Sequence, residues 1–223
     1  MKRYKKNIDL LKNNNVYSKE MEHDACGVGL VASTEGKKSR EVVEYGIQAL
    51  KAVWHRGAVD ADGKTGDGAG IHLEIPKDFF IEKIEITGQK FNKSEICVGM
   101  IFLPRNNFEA QEICRTIIES ELTKSNFSIY GWRQVPVNPK VLGEKADRTR
   151  PEITQVLFRH NDAELNGKKL ERCLYESRRK IENEALKNSL EGFYICSLSS
   201  KSIIYKGMFL AESIADFYID LQD

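Results

Sequence analysis

Apolar positions recur along this chain with two different spacings, and the change from one to the other predicts mixed α and β structure. Residues 26–33 form an apolar run spaced by glycines, which predicts a strand, and a turn is expected at Glu35 and Gly36. Ser39 can cap the helix that follows, and Gly57 ends the helical pattern. The apolar face of this helix should pack on a sheet and consists of Val43, Ile47, Leu50 and Trp54.

The rest of the chain continues as clusters of strands separated by helices. Strands are predicted at residues 71–75, 96–103, 128–137, 153–158, 193–198 and 202–205. Helices are predicted at residues 108–122, 165–186 and 210–218. Because no repeat and no long linker interrupts the series, the pattern alone predicts one domain of mixed α and β structure.

Composition narrows the possible partners of this domain. The 223 residues are 41% hydrophobic and 30% charged, which is ordinary for a globular domain with a real core. The 34 basic residues are matched by 33 acidic ones in the same segments, so no basic face for a nucleic acid is expected. No apolar run approaches the roughly 20 residues of a membrane-spanning helix, so no membrane partner is expected either.

The spacing of the cysteines is typical of a protein in a reducing compartment, and the amino terminus is not typical of a secreted protein. The five cysteines are widely spaced, and no Cys-x-x-Cys pair occurs, so neither a disulfide framework nor a zinc site is indicated. Residues 1–25 begin with basic residues, as secretory signals do, but Asp9, Lys12 and three successive asparagines interrupt any apolar core. We therefore expect a cytoplasmic protein with a polar leader that is not a signal peptide.

Cys26 is the candidate nucleophile, because it opens the first apolar run directly after this leader. If the leader is removed, Cys26 becomes the first residue and carries its own base. An α-amino group has a pKa of about 8, compared with about 10.4 for lysine, so it can take the proton of the thiol at cellular pH. A lone cysteine in a strand is more often a small buried hydrophobe, and composition alone favours that interpretation.

The glycine-rich loop at residues 62–70 could also be interpreted as a phosphate-binding loop. A P-loop needs a glycine five positions before the Gly63-Lys64-Thr65 triplet, where this chain has Ala58, and Gly57 is one residue out of register. The glycines more plausibly let the backbone turn sharply and pass close to another strand, as the wall of a tight pocket requires.

Three long blocks, at residues 24–29, 49–71 and 193–208, carry a resemblance to a known family. From about residue 22 to its end, the chain resembles the start of the glutamate synthase large subunit. The resemblance implies a class II glutamine amidotransferase domain of the N-terminal-nucleophile hydrolase type. It also implies an α+β fold, an αββα four-layer sandwich, with Cys26 as the catalytic residue. Residues 1–25 are then a leader that is removed, and residues 26–223 are the N-terminal portion of the domain.

The same resemblance implies a reaction. Cys26 attacks the side-chain amide of glutamine, ammonia leaves, and water resolves the glutamyl thioester. The ammonia aminates 2-oxoglutarate in the remainder of the large subunit, which is the expected partner of this domain. No cofactor is expected in this chain, because FMN and an iron–sulfur cluster belong to that remainder.

Other candidate site residues have structural alternatives. His23, His55 and His72 could pair with Cys26, but the resemblance requires no histidine, and His55 and His72 are interpreted as structural. Arg56 could bind a substrate carboxylate bidentately, but the preferred interpretation is that it closes a helix terminus or forms a structural ion pair.

The chain also departs from the family pattern. The family's substrate arginine and its Asn-Gly oxyanion element, in a His-Asn-Gly-Glu context, are expected beyond residue 223. The only Asn-Gly pair here is Asn166 and Gly167, at the start of a charged helix, and its context does not match. The sandwich is therefore expected to be incomplete at its C-terminal side, and the chain alone is expected to hydrolyse glutamine poorly. The alternative is a non-catalytic module that keeps this fold as an interaction surface.

Overall fold

The computed structural model describes residues 2–13, 27–53, 57–90 and 96–222. The helices are α1 (Lys2–Asn13), α2 (Arg40–Ala52), α3 (Lys77–Ile86), α4 (Phe108–Lys124), α5 (Glu144–Thr149), α6 (Gly167–Lys187) and α7 (Ile214–Phe217). The strands are β1 (Ala69–Glu74), β2 (Ile96–Leu103), β3 (Phe127–Gln134), β4 (Glu152–His160), β5 (Tyr194–Ser199) and β6 (Ser202–Gly207). Short 3₁₀ turns lie at Pro139–Val141, Ala211–Ser213 and Ile219–Leu221.

The strands form two antiparallel sheets. One has four strands in the order β3-β4-β2-β5, and the other pairs β1 with β6. Consecutive strands β5 and β6 belong to different sheets, so the chain crosses from one sheet to the other at residues 200–201. This short connection brings β6 next to β5 and β2, and the two sheets therefore pack on each other.

Strand β2 separates two hydrophobic cores. Val98 and Met100 belong to one cluster, together with Ile203 and Tyr205 of β6. Cys97 belongs to the other cluster, which the buried faces of α4 and α6 complete. Because successive side chains of a strand point to opposite faces, a strand that is apolar at every position must be covered on both sides. The helices α4 and α6 cover the outer face of the four-stranded sheet, and α2 lies against β1, so the predicted α+β sandwich is confirmed.

The predicted strand at residues 26–33 is wrong over its described part. Residues 27–33 are irregular, and Val28 and Leu30 are 89% and 92% exposed. An alternating or apolar run becomes a strand only where a neighbouring strand accepts its backbone hydrogen bonds, and no described strand pairs with this segment. The turn after it is confirmed, since Gly36 N donates to Ser33 O at 3.2 Å and Gly36 has a φ of 66°.

Other element boundaries also differ from the prediction. Helix α2 ends at Ala52 rather than at Gly57, and Trp54 lies outside the described residues. The sequence pattern did not predict α1, α3 or α5. The predicted last helix is a 3₁₀ turn followed by the single turn of α7. Ser39 does occupy the N-cap of α2, although its side chain makes no capping hydrogen bond.

Thr154 in β4 carries a buried hydroxyl that has no hydrogen-bond partner among the described residues. A buried polar group without a partner keeps its desolvation cost and gains nothing in return. We therefore expect Thr154→Val to raise the free energy of unfolding by about 0.5–1 kcal/mol, measured by urea denaturation. Thr87→Val is the matched control, because the Thr87 hydroxyl donates to Ile84 O at 2.6 Å and its removal should destabilise the protein. A loss of stability in Thr154→Val would contradict this account.

Candidate active site

The glycine-rich loop is a compact turn held by its own backbone. Asp60 N donates to Thr65 O, and Gly63 N donates to Asp60 O, both at 2.9 Å. Gly63 has a φ of 70°, a conformation that glycine adopts at little cost. Val59 and Gly66 form an isolated antiparallel bridge, which closes the base of the turn.

Beyond this turn, the loop passes directly against the strand β6 and the residues that follow it. A Cβ added at Gly66 would lie 2.7 Å from Phe209 O, and one at Gly70 would lie 2.8 Å from the Cβ of Lys206. Neither distance is tolerated between real atoms, so any larger residue would push the two backbones apart. The predicted close passage of this glycine-rich segment beside another strand is therefore confirmed.

Asp62 bonds to Thr65 within the loop, and Thr65 bonds in turn to the start of α5. Asp62 Oδ1 accepts hydrogen bonds from Lys64 N at 3.0 Å and Thr65 N at 2.7 Å, and Asp62 Oδ2 accepts one from the Thr65 hydroxyl at 2.6 Å. Thr65 Oγ1 in turn accepts from Ala146 N at 3.4 Å. The Thr65 hydroxyl and the backbone N–H groups hold the pKa of Asp62 well below its ordinary value, so this carboxylate stays ionised.

A cleft of about 1470 Å³ opens beside this loop. Its walls are the glycine loop, the end of α2, the segment from Leu142 to Ile153, and the end of β6 with residues 207–212. Gly27, the residue that directly follows Cys26, lies on the wall of the cleft, and so does His72 of β1. Cys26 itself, His23, His55 and Arg56 lie outside the described residues.

The four cysteines in the described part of the chain are poor nucleophiles. Cys97, Cys114 and Cys196 are buried, and burial raises the pKa of both Cys114 and Cys196 to about 11. Cys173 is partly exposed, and partial burial raises its pKa as well. Because the thiolate is the reactive form, a raised pKa lowers the reactivity of Cys114, Cys173 and Cys196 at neutral pH. They serve as small apolar side chains of the two cores and of α6.

The described residues were compared with two further kinds of functional feature, a metal centre and a membrane-spanning helix. Within residues 2–13, 27–53, 57–90 and 96–222, no group of three acidic, histidine or cysteine side chains is arranged to hold a metal ion. In the same ranges no helix is long and apolar enough to cross a bilayer. Asn166 and Gly167 form the N-terminus of α6, as their sequence context predicted, and they do not line the cleft.

Comparison with known proteins identifies the family. The family described as "Glutamine amidotransferases class-II" matches residues 26–223, a match that begins at Cys26. The chain belongs to the class II glutamine amidotransferases. The predicted resemblance and the fold class that it implies are therefore confirmed. The glycine-lined cleft next to Gly27 thus lies in an amidotransferase domain.

Relatives of this amidotransferase domain are glutamate synthases. This chain is 52% identical over 220 residues, 99% of its length, to the "Glutamate synthase [NADPH] large chain" of Azospirillum brasilense. It is 40% identical over 91% of the chain to "Ferredoxin-dependent glutamate synthase 1, chloroplastic/mitochondrial" of Arabidopsis thaliana. It is 36% identical over 93% of the chain to the "Glutamate synthase [NADPH] large chain" of Bacillus subtilis (strain 168). The chain spans only 12–14% of the length of these relatives.

The sequence analysis did not predict that Asp62 and Thr65 anchor the glycine-rich loop. An Asp three residues before a Thr, in a glycine-rich segment, is a recognisable signal for a side chain that bonds to the backbone of its own turn. The partner of this turn, α5, lies about 80 positions further along the chain, since Ala146 and Thr65 are 81 residues apart. That contact depends on the fold and has no signal in the local pattern.

Proposed function

We propose that residues 26–223 are the glutaminase portion of a glutamate synthase large subunit, with Cys26 as its nucleophile. The observation that carries this proposal is the position of Gly27, which is bonded to Cys26 and lies on the wall of the glycine-lined cleft. The start of the family match at residue 26 supports the same assignment. The buried or partly buried cysteines elsewhere support it too, because their raised pKa values make them poor nucleophiles.

The proposed chemistry needs no histidine or metal. The free α-amino group of Cys26 takes the proton of the thiol, and the sulfur attacks the side-chain amide carbon of glutamine. The carbon–nitrogen bond then breaks, the ammonium group returns a proton to the leaving nitrogen, and ammonia departs. A glutamyl thioester remains on Cys26. Water, deprotonated by the same amine, attacks the thioester carbon, so glutamate leaves and the thiol is restored.

The product ammonia is proposed to be used elsewhere in the same polypeptide. The matching residues make up only 12–14% of the length of these relatives, and each relative is named a glutamate synthase. The proposed partner of this domain is therefore the remainder of a large subunit, where ammonia would aminate 2-oxoglutarate.

This mechanism requires that residues 1–25 be absent from the active protein, because Cys26 has an α-amino group only when it is the first residue. We expect active protein purified from its source to begin at Cys26, as determined by amino-terminal sequencing. A Cys26→Ala protein that retains residues 1–25 would show whether removal depends on the cysteine itself. Active protein that begins at Met1 would overturn both the leader assignment and the amine as the base.

A further inference from the structure

The contact between the glycine loop and α5 includes a hydrogen bond from Ala146 N to Thr65 Oγ1 at 3.4 Å. We call it the clasp, and define it as Asp62, Thr65, Gly143, Lys145 and Ala146. Both carboxylate oxygens of Asp62 accept hydrogen bonds from Thr65, one from its N–H and one from its hydroxyl. Lys145 Nζ lies 2.6 Å from Asp60 Oδ2, which adds an ion pair between the same two segments.

Gly143 shows how closely the two segments approach. A Cβ at this position would lie 2.1 Å from Asp62 Oδ2 and 2.3 Å from Thr65 Oγ1. The φ of Gly143 is −74°, which any residue can adopt, so the backbone conformation does not require glycine here. The space is needed because the carboxylate and the hydroxyl occupy it.

The clasp joins two walls of one cleft. Gly63, Gly66 and Gly68 line the cleft from the loop side, and Leu142 and Ala146 line it from the α5 side. Thr65 itself is only 2% exposed, whereas most of the loop around it is exposed. A glycine-rich segment has more backbone freedom to lose than any other, so its position depends on such anchors.

We infer that Asp62 and Thr65 are positioning residues for the amidotransferase site. They hold the glycine wall against α5 and so fix the shape of the cleft beside Gly27, where the side chain of glutamine must lie to reach Cys26. The inference rests on the proposed function. It goes further by assigning the orientation of the substrate to residues that do not react with it.

The test compares two reagents on the natural-length protein. A glutamine-analogue chloroketone must be oriented by the cleft before it alkylates Cys26, whereas iodoacetamide needs only an accessible thiolate. Modification at Cys26 is followed by peptide mass spectrometry. Thr65→Val keeps the shape of the side chain but removes the hydroxyl that both donates to Asp62 and accepts from Ala146.

We expect Thr65→Val to slow alkylation by the chloroketone roughly 10–100-fold, because a displacement of about 1 Å costs that much in an oriented reaction. The iodoacetamide rate should stay within about twofold, because the thiol and its base are unchanged. Thr65→Ser should restore the chloroketone rate. Glu144→Gln is the matched control in α5 and should change neither rate, because Glu144 forms an ion pair with Arg148 on the surface.

Two further variants keep the test decisive if Thr65→Val does not fold. Asp62→Asn keeps the Thr65 hydroxyl, and Gly143→Ala keeps both side chains but places a Cβ where Asp62 Oδ2 lies. Both should reproduce the selective loss of chloroketone alkylation. Unchanged chloroketone rates in the folded variants would overturn the inference and leave the proposed function intact. A wild-type protein whose Cys26 reacts with iodoacetamide but shows no preference for the glutamine analogue would overturn both.

Discussion

Cys26→Ser is expected to lower glutamine hydrolysis by roughly 10³-fold or more in the natural-length protein, measured as ammonia release, while the fold is retained. The physical reason is the acidity of the nucleophile. A thiol with a pKa near 8.5 gives up its proton to a neutral amine easily, whereas a hydroxyl does not. Removal of the nucleophile is therefore expected to outweigh the loss of any one residue that positions the substrate.

Cys173→Ser is the matched control, because Cys173 is the one cysteine in the described residues that is not fully buried. It should leave the rate of ammonia release unchanged. Near-normal release from Cys26→Ser would move the nucleophile to another residue. If the wild-type protein itself releases no ammonia and does not react with a glutamine analogue, the alternative of a non-catalytic module that keeps the fold is favoured.

Elements that carry their own pattern were predicted well from the sequence. Strand β2 has the bounds that the apolar run at residues 96–103 predicted, and α4 and α6 begin and end within two residues of the prediction. Each is long, and each is covered by a core that its own periodicity implies. Residues 27–33 have an equally clear pattern, but no described strand lies beside them, so the local signal alone was insufficient.

The elements that were missed are short or weakly patterned. Helix α5 has six residues and one buried side chain, Ala146, so no periodicity could reveal it. Helix α3 follows Pro76 and buries only Phe80 and Ile84, which is too few positions to define a face. The same holds for the candidate site. The spacing of the glycines predicted the loop on its wall, but no local pattern predicted the α5 segment that contacts this loop.

A second large effect is expected on the free energy of unfolding when a buried ion pair is broken. Arg133 in β3 makes a bidentate contact with Asp220, with Nη1 2.8 Å from Oδ2 and Nη2 2.5 Å from Oδ1. The side chains of Arg133 and Asp220 are only 17% and 5% exposed. Gln155 Oε1 also accepts from Arg133 Nη1 at 2.8 Å, so the guanidinium of this β3 residue is bonded both to β4 and to the segment that contains Asp220.

The pair ties the end of the described chain to the four-stranded sheet. Asp220 lies in the 3₁₀ turn Ile219–Leu221, and Tyr205 of β6 donates to Asp220 Oδ2 at 3.4 Å. The neighbouring Tyr218 is fully buried, and its hydroxyl donates to Lys206 O at 2.8 Å. Loss of the carboxylate therefore affects β3, β6 and this last segment together.

Asp220→Asn should lower the free energy of unfolding by about 3–5 kcal/mol, because it leaves the Arg133 charge buried without a counter-charge. The measurement is urea denaturation of the 223-residue chain, followed by tryptophan fluorescence, to which Trp132, the neighbour of Arg133 in β3, contributes. Arg133→Met combined with Asp220→Leu removes both charges, and it should recover most of the loss because apolar replacements of a buried pair are often neutral. Full recovery in the double variant would show that the unpaired charge causes the loss of stability. If the free energy of unfolding of Asp220→Asn stays within about 0.5 kcal/mol of the wild-type value, water already screens this pair and the prediction is wrong.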